Sequence, residues 1–553
     1  MFDDSASRTG KTLRTRLLAA AASTAAIGLV LTGCSGLAPK TSTGGTVVEV
    51  IPALATQLSF DTSFALTAGY FDNSDNVFAD LITQKYVAGT QKNTLNQDLY
   101  NFTGVLAKNY TISPDGLTYT FNLRHGVKSV HGNELTADDV VWSFQRKFKA
   151  ATSIDPYVTQ PAITTSDQFT AKDKYTVTVS IKKKQYGFTL LSNLSDIVGQ
   201  IYDATFLKKH VTAADPWATK FSSGRYDFGF GPYRVQSVTP GSEMVLVANK
   251  DYALGEPKIT KIIQRVVPDA GNRAQALKTG SAQVALGLLP ADLDSLKSEP
   301  SVLVPSKARN GYIAMSLNVK TGPFKDLAVR KAFAEAIDYT QIIDQVYHGL
   351  AKKKNSMLDS AAPGYDGSGL PDYSYDAAKA KSILAAAGYT KPVAVSITVD
   401  STTQALVDSA VAIKSSAASA GFNVTVNAVP TAQAQQLGSA GQTQASLFQG
   451  EALAVTPGYQ LTLQTTPGGS SNYGQYNDPT FEKLLTAAND LPDPLSSAGG
   501  AAYNAAEKRW LGEQVASIFI GTPPSDSAVS TTLSGWTWRV DHAVDLSVLT
   551  VKK

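Results

Sequence analysis

The chain reads as an α/β protein of layered helices and sheets folded into at least two lobes, and three observations predict it. Helices stopped by glycine lead into apolar strands: Asp376 to Ala387 halts at Gly388 before Val393 to Val399, and Leu406 to Ala420 halts at Gly421 before Asn423 to Val429. Repeated helix–glycine–strand units imply layers with partly parallel sheet. Other strands, such as Thr118 to Leu123 and Tyr175 to Ile181, alternate polar and apolar residues as a half-buried sheet does. Removing residues 1 to 33 leaves 520 of the 553 residues, more than one hydrophobic core accommodates.

Those first residues read as a leader. Arg8, Lys11, Arg14 and Arg16 precede an apolar run from Leu17 to Leu31, the pattern of a secretory signal peptide. The run is too short to cross a bilayer of roughly 30 Å. It ends in Leu31-Thr32-Gly33-Cys34, which resembles the lipobox of bacterial lipoproteins. That resemblance implies cleavage before Cys34 and attachment of a diacylglycerol to its sulfur, chemistry that needs a thiolate nucleophile. Residues 34 to 45 are small, polar and turn-rich, a flexible tether behind the lipid. The expected place is the outer face of a bacterial cell membrane.

Beyond the tether, Thr46 to Ile51 reads as a first buried strand. Ser113-Pro114-Asp115-Gly116 is a turn feeding Thr118 to Leu123. Thr136-Ala137-Asp138-Asp139 opens a capped helix with Val140, Val141, Trp142 and Phe144 on its apolar face. Met244 to Val247 and Ile259 to Val267 are strands, and Ala270 to Lys278 is a helix stopped by Gly280. Ile313 to Val319 is a strand, Val329 to Tyr347 a long amphipathic helix, and Ala501 to Phe519 a last long helix after a loop within Thr486 to Gly500.

Composition removes several functions. The leader holds four basic and two acidic residues, so its loss takes the net charge from +3 to +1. A nearly neutral chain argues against nucleic acid as a partner. Cys34 is the single cysteine, so lipidation leaves no thiol for a disulfide, a thiolate metal site or catalysis. His125, His131, His210, His348 and His542 include no pair four apart on a helix, and no metal site is expected.

Four ordered segments resemble the peptide/nickel family of bacterial extracellular solute-binding proteins, family 5. The densest runs from Ser113 through Asp115-Gly116-Leu117-Thr118-Tyr119-Thr120-Phe121 to Leu123-Arg124-His125-Gly126-Val127, and on through Gly132 to Leu135-Thr136-Ala137-Asp138-Asp139-Val140. The others are Gly229-Phe230-Gly231-Pro232-Tyr233; Pro323-Phe324-Lys325-Asp326 with Val329-Arg330-Lys331-Ala332 and Asp338; and Tyr375-Asp376 with Leu384 to Tyr389. The resemblance implies a two-lobed periplasmic-binding-protein (Venus-flytrap) fold with an extra subdomain in lobe I. Lobe I would be residues 46–311 and 520–553 with the subdomain near 68–215, and lobe II 312–519. Asp115, Asp139, Asp338, Arg330 and the Gly-Pro-Tyr element are expected to set turns, caps and packing.

The resemblance further implies an importer receptor, a monomer without cofactor that captures a solute between its lobes and delivers it to the permease subunits of an ABC transporter. An oligopeptide is the default ligand, with a sugar, an opine-like compound or a nickel or other metal chelate as alternatives. A signalling or chaperone-like surface lipoprotein is the rival reading. Peptide binders of the family place an aspartate after Gly-Trp to pair with the ligand ammonium. Here Gly450 is followed by Glu451, and the aspartate position falls near Ala454. Glu451 stands either as a longer-armed substitute or as a solvated loop acid. Tyr459, Asn472 and Tyr473 fall in what reads as a long glycine-rich loop from Pro457 to Gly469 and beyond. Phe60, with Trp536 or Trp538, supplies candidate aromatic walls.

A hydrolase reading fails on order. The strings Ser180-Ile181-Lys182-Lys183, Ser74-Asp75-Asn76 and Lys278-Thr279-Gly280 match a penicillin-recognising triad, but Ser-Asp-Asn comes first and Ser180 lies on a strand. No catalytic residue is expected.

Overall fold

The structure is a computed structural model and describes residues 45–55, 70–150, 158–306, 311–451, 454–540 and 544–552. The leader, the tether with Cys34, and Phe60 lie outside the described residues. Two large sheets organise the remainder. The first has seven strands in the order Val302–Leu303, Ala528–Ser530, Val284–Ala285, Thr46–Ile51, Lys261–Val266, Glu243–Ala248 and Tyr233–Thr239. The second has six, in the order Lys352–Lys353, Ser517–Thr522, Gly311–Leu317, Ala445–Glu451, Val393–Asp400 and Phe422–Val429.

Each sheet mixes parallel and antiparallel pairing. Thr46–Ile51 runs parallel to Lys261–Val266 and to Val284–Ala285. Val393–Asp400 runs parallel to Phe422–Val429 and to Ala445–Glu451. The Gln404–Ser419 helix makes the crossover between two of these strands, as parallel pairing requires. Gly421, at φ +92°, turns the chain from helix to strand in a conformation that favours glycine. All seven residues of Gly311–Leu317 are buried, because this strand is central and covered on both faces. The chain passes from the first sheet to the second between Leu303 and Gly311 and returns between Thr522 and Ala528 through Pro523-Pro524.

A subdomain is inserted into the first lobe. Its four-stranded sheet, Ala107–Ile112, Thr118–Leu123, Thr176–Ser180 and Phe169–Asp173, has its own core around Phe121, Phe144 and Phe169. The Ala137–Lys149 helix covers it. Asp139 accepts from the Thr136 N–H at 2.7 Å and from its hydroxyl at 2.9 Å, and its other oxygen takes the Ala204 N–H at 2.9 Å. Burial pushes this carboxyl up to about 6. Gly231 donates to the Val77 carbonyl at 3.0 Å, and a Cβ there would fall 2.3 Å from Val77 C, so the Gly-Pro-Tyr element needs a glycine for close approach. Tyr233 then donates to the carbonyls of Ile259 (3.0 Å) and Leu546 (3.1 Å). Arg330 caps backbone, donating to Gln514, Phe324 and Lys325 carbonyls.

Two expected helices are corrected. Val329 to Tyr347 is interrupted: Leu327–Glu335 ends, Asp338 accepts the Gln341 N–H at 2.9 Å, and a new helix begins at Tyr339 that widens into a π turn over Ile342–Val346. Ile337 and Ile342 enter the same core as Val329 and Phe333, which is why the apolar spacing reads as continuous. Ala501 to Phe519 is likewise divided. The helix is Ser497–Glu507, followed by a π turn over Lys508–Glu513, and Ser517–Thr522 is a buried strand paired with Ile313–Ser316. The expected loop within Thr486 to Gly500 shrinks to the stretch between the Pro479–Asn489 and Ser497–Glu507 helices.

Candidate ligand cleft

In open sheets with parallel strands, ligands bind where the carboxyl ends of those strands stop and the following loops diverge. Both sheets turn such ends toward one cavity of about 780 Å³. From the first sheet come Pro52, Pro268-Asp269 and Gly287, each just past a parallel strand. From the second come Thr402 to Ala405, beyond Val393–Asp400, and Phe448 to Glu451. Pro523 and Pro524 of the returning segment close the base, and the volume lies in the range of about 300–1,000 Å³ typical of small-molecule sites.

Aromatic rings make one wall. Tyr312 meets Phe448 edge-on at 6.2 Å, and Phe448 meets Tyr473 edge-on at 5.1 Å. Gly450 permits this: it pairs with Tyr312 across the strands, and a Cβ on it would sit 2.4 Å from the ring. Burial raises the phenol pKa of Tyr312, Tyr459 and Tyr473, so all three are neutral donors at neutral pH.

The charges in the wall, among the described residues, are Asp269, Arg273, Glu451 and Asp526. Arg273 is buried and donates to the Val267 carbonyl (2.6 Å), the Pro268 carbonyl (2.9 Å) and the Gly287 carbonyl, tying two strand ends together. Desolvation lowers its pKa from the usual arginine value, opposed by Asp269, Asp292 and Asp526. Glu451 ends its strand opposite Gly311, and Gln449 donates to it at 3.5 Å. Among the described residues the wall thus holds three carboxylates and one guanidinium that is already engaged with backbone, a lining suited to a positive or neutral group.

Among the residues expected from sequence, Glu451, Tyr459 and Tyr473 come together in this cleft. Asn472 turns away: its amide donates to the carbonyls of Thr466 (2.9 Å) and Tyr476 (2.8 Å) and accepts the Tyr476 N–H (2.8 Å). It holds the turn that presents Ser471 and Tyr473. The stretch before it is a helix, Pro457–Thr465, because Pro457 stands in the first turn where its missing N–H costs nothing. Trp536 lies in a different cavity, described below, as does Trp538. Ala454, at the expected aspartate position, is buried. Tyr312, Phe448, Arg273 and Thr402-Thr403 were not singled out by sequence. Thr402-Thr403 carried a usable signal, a polar junction between a parallel strand and its following helix.

Other polar contacts join the lobes outside the lining of this cavity. Thr189 meets Thr456 at 3.4 Å, Lys183 pairs with Asp490, His348 lies 3.8 Å from Asp294, and Tyr100 donates to Asp359 at 3.4 Å. Ser180, Ser74 and Lys278 of the hydrolase-like strings sit on three separate elements, and Lys278 pairs with Glu299 at 3.3 Å. Among the described residues no group of three His, Cys, Asp or Glu is placed to hold a metal ion, and no helix is long and apolar enough to cross a membrane.

Residues 101–472 match the family model described as bacterial extracellular solute-binding proteins, family 5 middle. Di/tripeptide-binding protein 1 of Pseudomonas aeruginosa is 33% identical over 304 residues, covering 51% of this chain and 54% of that protein. The chain therefore aligns with about half the length of this relative. Two solved structures share the fold over 92% of the chain. One is the periplasmic binding protein DppA from Helicobacter pylori with the peptide STSA, with TM-score 0.75, 23% identity and 98% of its own length covered. The other is NikA from Brucella suis with Fe(III)-EDTA, with TM-score 0.76, 19% identity and 100% covered. With its two sheets, inserted subdomain and shared cleft, the chain belongs to the family 5 bacterial extracellular solute-binding proteins.

Proposed function

We propose that this protein is the capture receptor of an ABC importer, tethered to the outer face of the cell membrane through a diacylglycerol on Cys34, and that it encloses a short peptide in the 780 Å³ cleft before passing it to the permease. The observation that carries the reading is the convergence of carboxyl strand ends from two separate sheets on one cavity. A solute there touches both lobes, so its binding energy favours the closed arrangement over the open one. The cross-lobe pairs named above are mostly exposed or singly hydrogen-bonded, so a solute that touches both lobes adds materially to their closure. Peptide is favoured by the resemblance to a di/tripeptide-binding protein, by the neutral phenols and backbone ends of the cleft, and by the excess of carboxylates among its described lining residues, which suits an ammonium terminus.

Glu451 is the group assigned to that ammonium, through a charge-assisted hydrogen bond. The test is a calorimetric titration of the full chain with trialanine and with N-acetyl-trialanine. The free-amino peptide should bind at least tenfold more tightly, and Glu451→Gln should erase the difference. Equal binding of both peptides by the unaltered chain, or a preference that survives Glu451→Gln, would remove Glu451 from this role. Binding of neither peptide, with a response to metal chelates instead, would replace peptide as the solute.

A further inference from the structure

A second cavity, of about 660 Å³, lies on the other side of the crossing segments. Gly311, Thr522 and Glu451 form the partition, and Glu451 alone among them also faces the main cleft through its strand end at Gly450. Its walls come from the hairpin strand Leu95 to Tyr100, from the segment Lys352 to Ala361, and from Trp536 to Val540. The hairpin is fixed in place. Gln91 donates to the Val304 carbonyl at 3.0 Å and accepts the Ser306 N–H at 2.7 Å, gripping the first crossing segment. Leu95 donates to the Trp536 carbonyl and Gly535 to the Asn93 carbonyl, both at 2.8 Å.

The polar groups here divide by sign. The acids are engaged: Asp98 takes the Tyr100 N–H (3.2 Å) and the Asn101 amide (2.8 Å), Asp359 takes the Ala361 N–H (2.9 Å) and the Tyr100 hydroxyl (3.4 Å), and Glu451, at the partition, takes the Gln449 amide (3.5 Å). Two cations are occupied as well, Arg539 by Asp75 at 2.9 Å and Lys353 by Asp372 at 2.6 Å. Two donors are not. The Trp536 indole N–H, on a side chain 2% exposed, has no acceptor among the described residues. The half-buried Lys354 ammonium has a single bond, to the Met357 carbonyl at 3.3 Å, and no carboxylate within ion-pair distance among the described residues. Desolvation pulls that amine down to about 8, so most of it is still protonated at neutral pH. Tyr365 and Trp538 add aromatic surface. Unused donors beside flat apolar walls call for a molecule that brings acceptors at one end and a ring at the other.

We propose that this cavity is a second binding site, taking a compact aromatic carboxylate whose oxygens meet Lys354 and Trp536 and whose ring lies among Tyr365 and Trp538. It differs from the cleft in position and in the sign of charge it accepts.

The experiment is a titration of the full chain with 3-phenylpropionate, with 3-phenylpropylamine as the charge-reversed probe, followed by calorimetry and tryptophan fluorescence. Hydrogen exchange locates the bound probe. The acid should saturate and change the tryptophan emission, the amine should not bind, and protection should appear at 94–100 and 352–361. Lys354→Met should weaken the acid at least tenfold. Ala361→Phe, which fills the cavity from an exposed position and removes no buried group, should abolish binding even where Lys354→Met does not fold. No saturable binding, binding of the amine as tight as the acid, protection at 402–405 and 448–451 instead, or a folded Lys354→Met or Ala361→Phe that binds unchanged would each overturn the proposal.

Discussion

Substituting alanine for Gly450 should damage both stability and the cleft, and the structure sets the size of the effect. The added Cβ would lie 2.4 Å from Cζ and from the hydroxyl oxygen of Tyr312, and 2.6 Å from Cε2. Contacts that short force movement. The ring cannot retreat easily, because Tyr312 is 4% exposed and packs edge-on against Phe519 at 5.4 Å as well as Phe448. Overpacking of this kind costs about 1–3 kcal/mol. Gly512→Ala is the matched control, since its Cβ would meet nothing nearer than Pro371 at 3.9 Å. The assay is guanidinium unfolding of the full chain, run as a cycle with Tyr312→Leu. In the Tyr312→Leu background most of the Gly450→Ala cost should vanish, a coupling of about 1 kcal/mol or more. A Gly450→Ala penalty below about 0.5 kcal/mol, or one that is the same in both backgrounds, would refute the close-approach argument.

Three further outcomes follow from the geometry. Arg273→Met leaves three carbonyls at the strand ends without a donor and should cost about 3 kcal/mol or more, read as a fall in the guanidinium midpoint. Asp338→Ala removes the cap of the helix beginning at Tyr339 and should cost about 1 kcal/mol by the same measurement, more than an exposed Asp→Ala elsewhere. Glu507 is buried, and desolvation pushes its carboxyl from 4.5 up to about 7, opposed by the Ser356 hydroxyl at 2.5 Å and by Lys354. The native state therefore holds this proton more tightly than the unfolded state. Its contribution is complete below about pH 4.5 and is lost as pH rises to about 7, worth up to about 3 kcal/mol at about 1.36 kcal/mol per unit. Glu507→Gln, which keeps an acceptor for Ser356, should flatten unfolding free energy across that window; an unchanged slope between pH 4.5 and 7 would contradict the assignment.

Local rules carried the sequence reading far where they sufficed. Thr118–Leu123 and Ala270–Lys278 have the bounds expected from alternation and from a glycine stop, and Thr136 with Asp139 makes its cap. They failed where burial is continuous. Ile337 and Ile342 keep a helical apolar spacing across a break that only the Asp338 cap marks, and Ser517–Thr522 is covered on both faces and shows no alternation. The cleft divides in the same way. Glu451 and Tyr473 reach it because they follow secondary structure that ends there. Asn472 looked like a free polar side chain, but its bonds are local ones to Thr466 and Tyr476. Trp536 owes its position to a pairing with Leu95 more than 400 residues away in sequence, for which no local pattern exists.

The account rests on a solute enclosed between the carboxyl strand ends of both sheets, and hydrogen exchange of the full chain with and without a saturating pool of short unblocked peptides tests it directly. Protection should rise together at 287–290 in the first lobe and at 402–405, 448–451 and 470–473 in the second. Protection confined to one lobe, or none at these segments despite measurable binding, would contradict it.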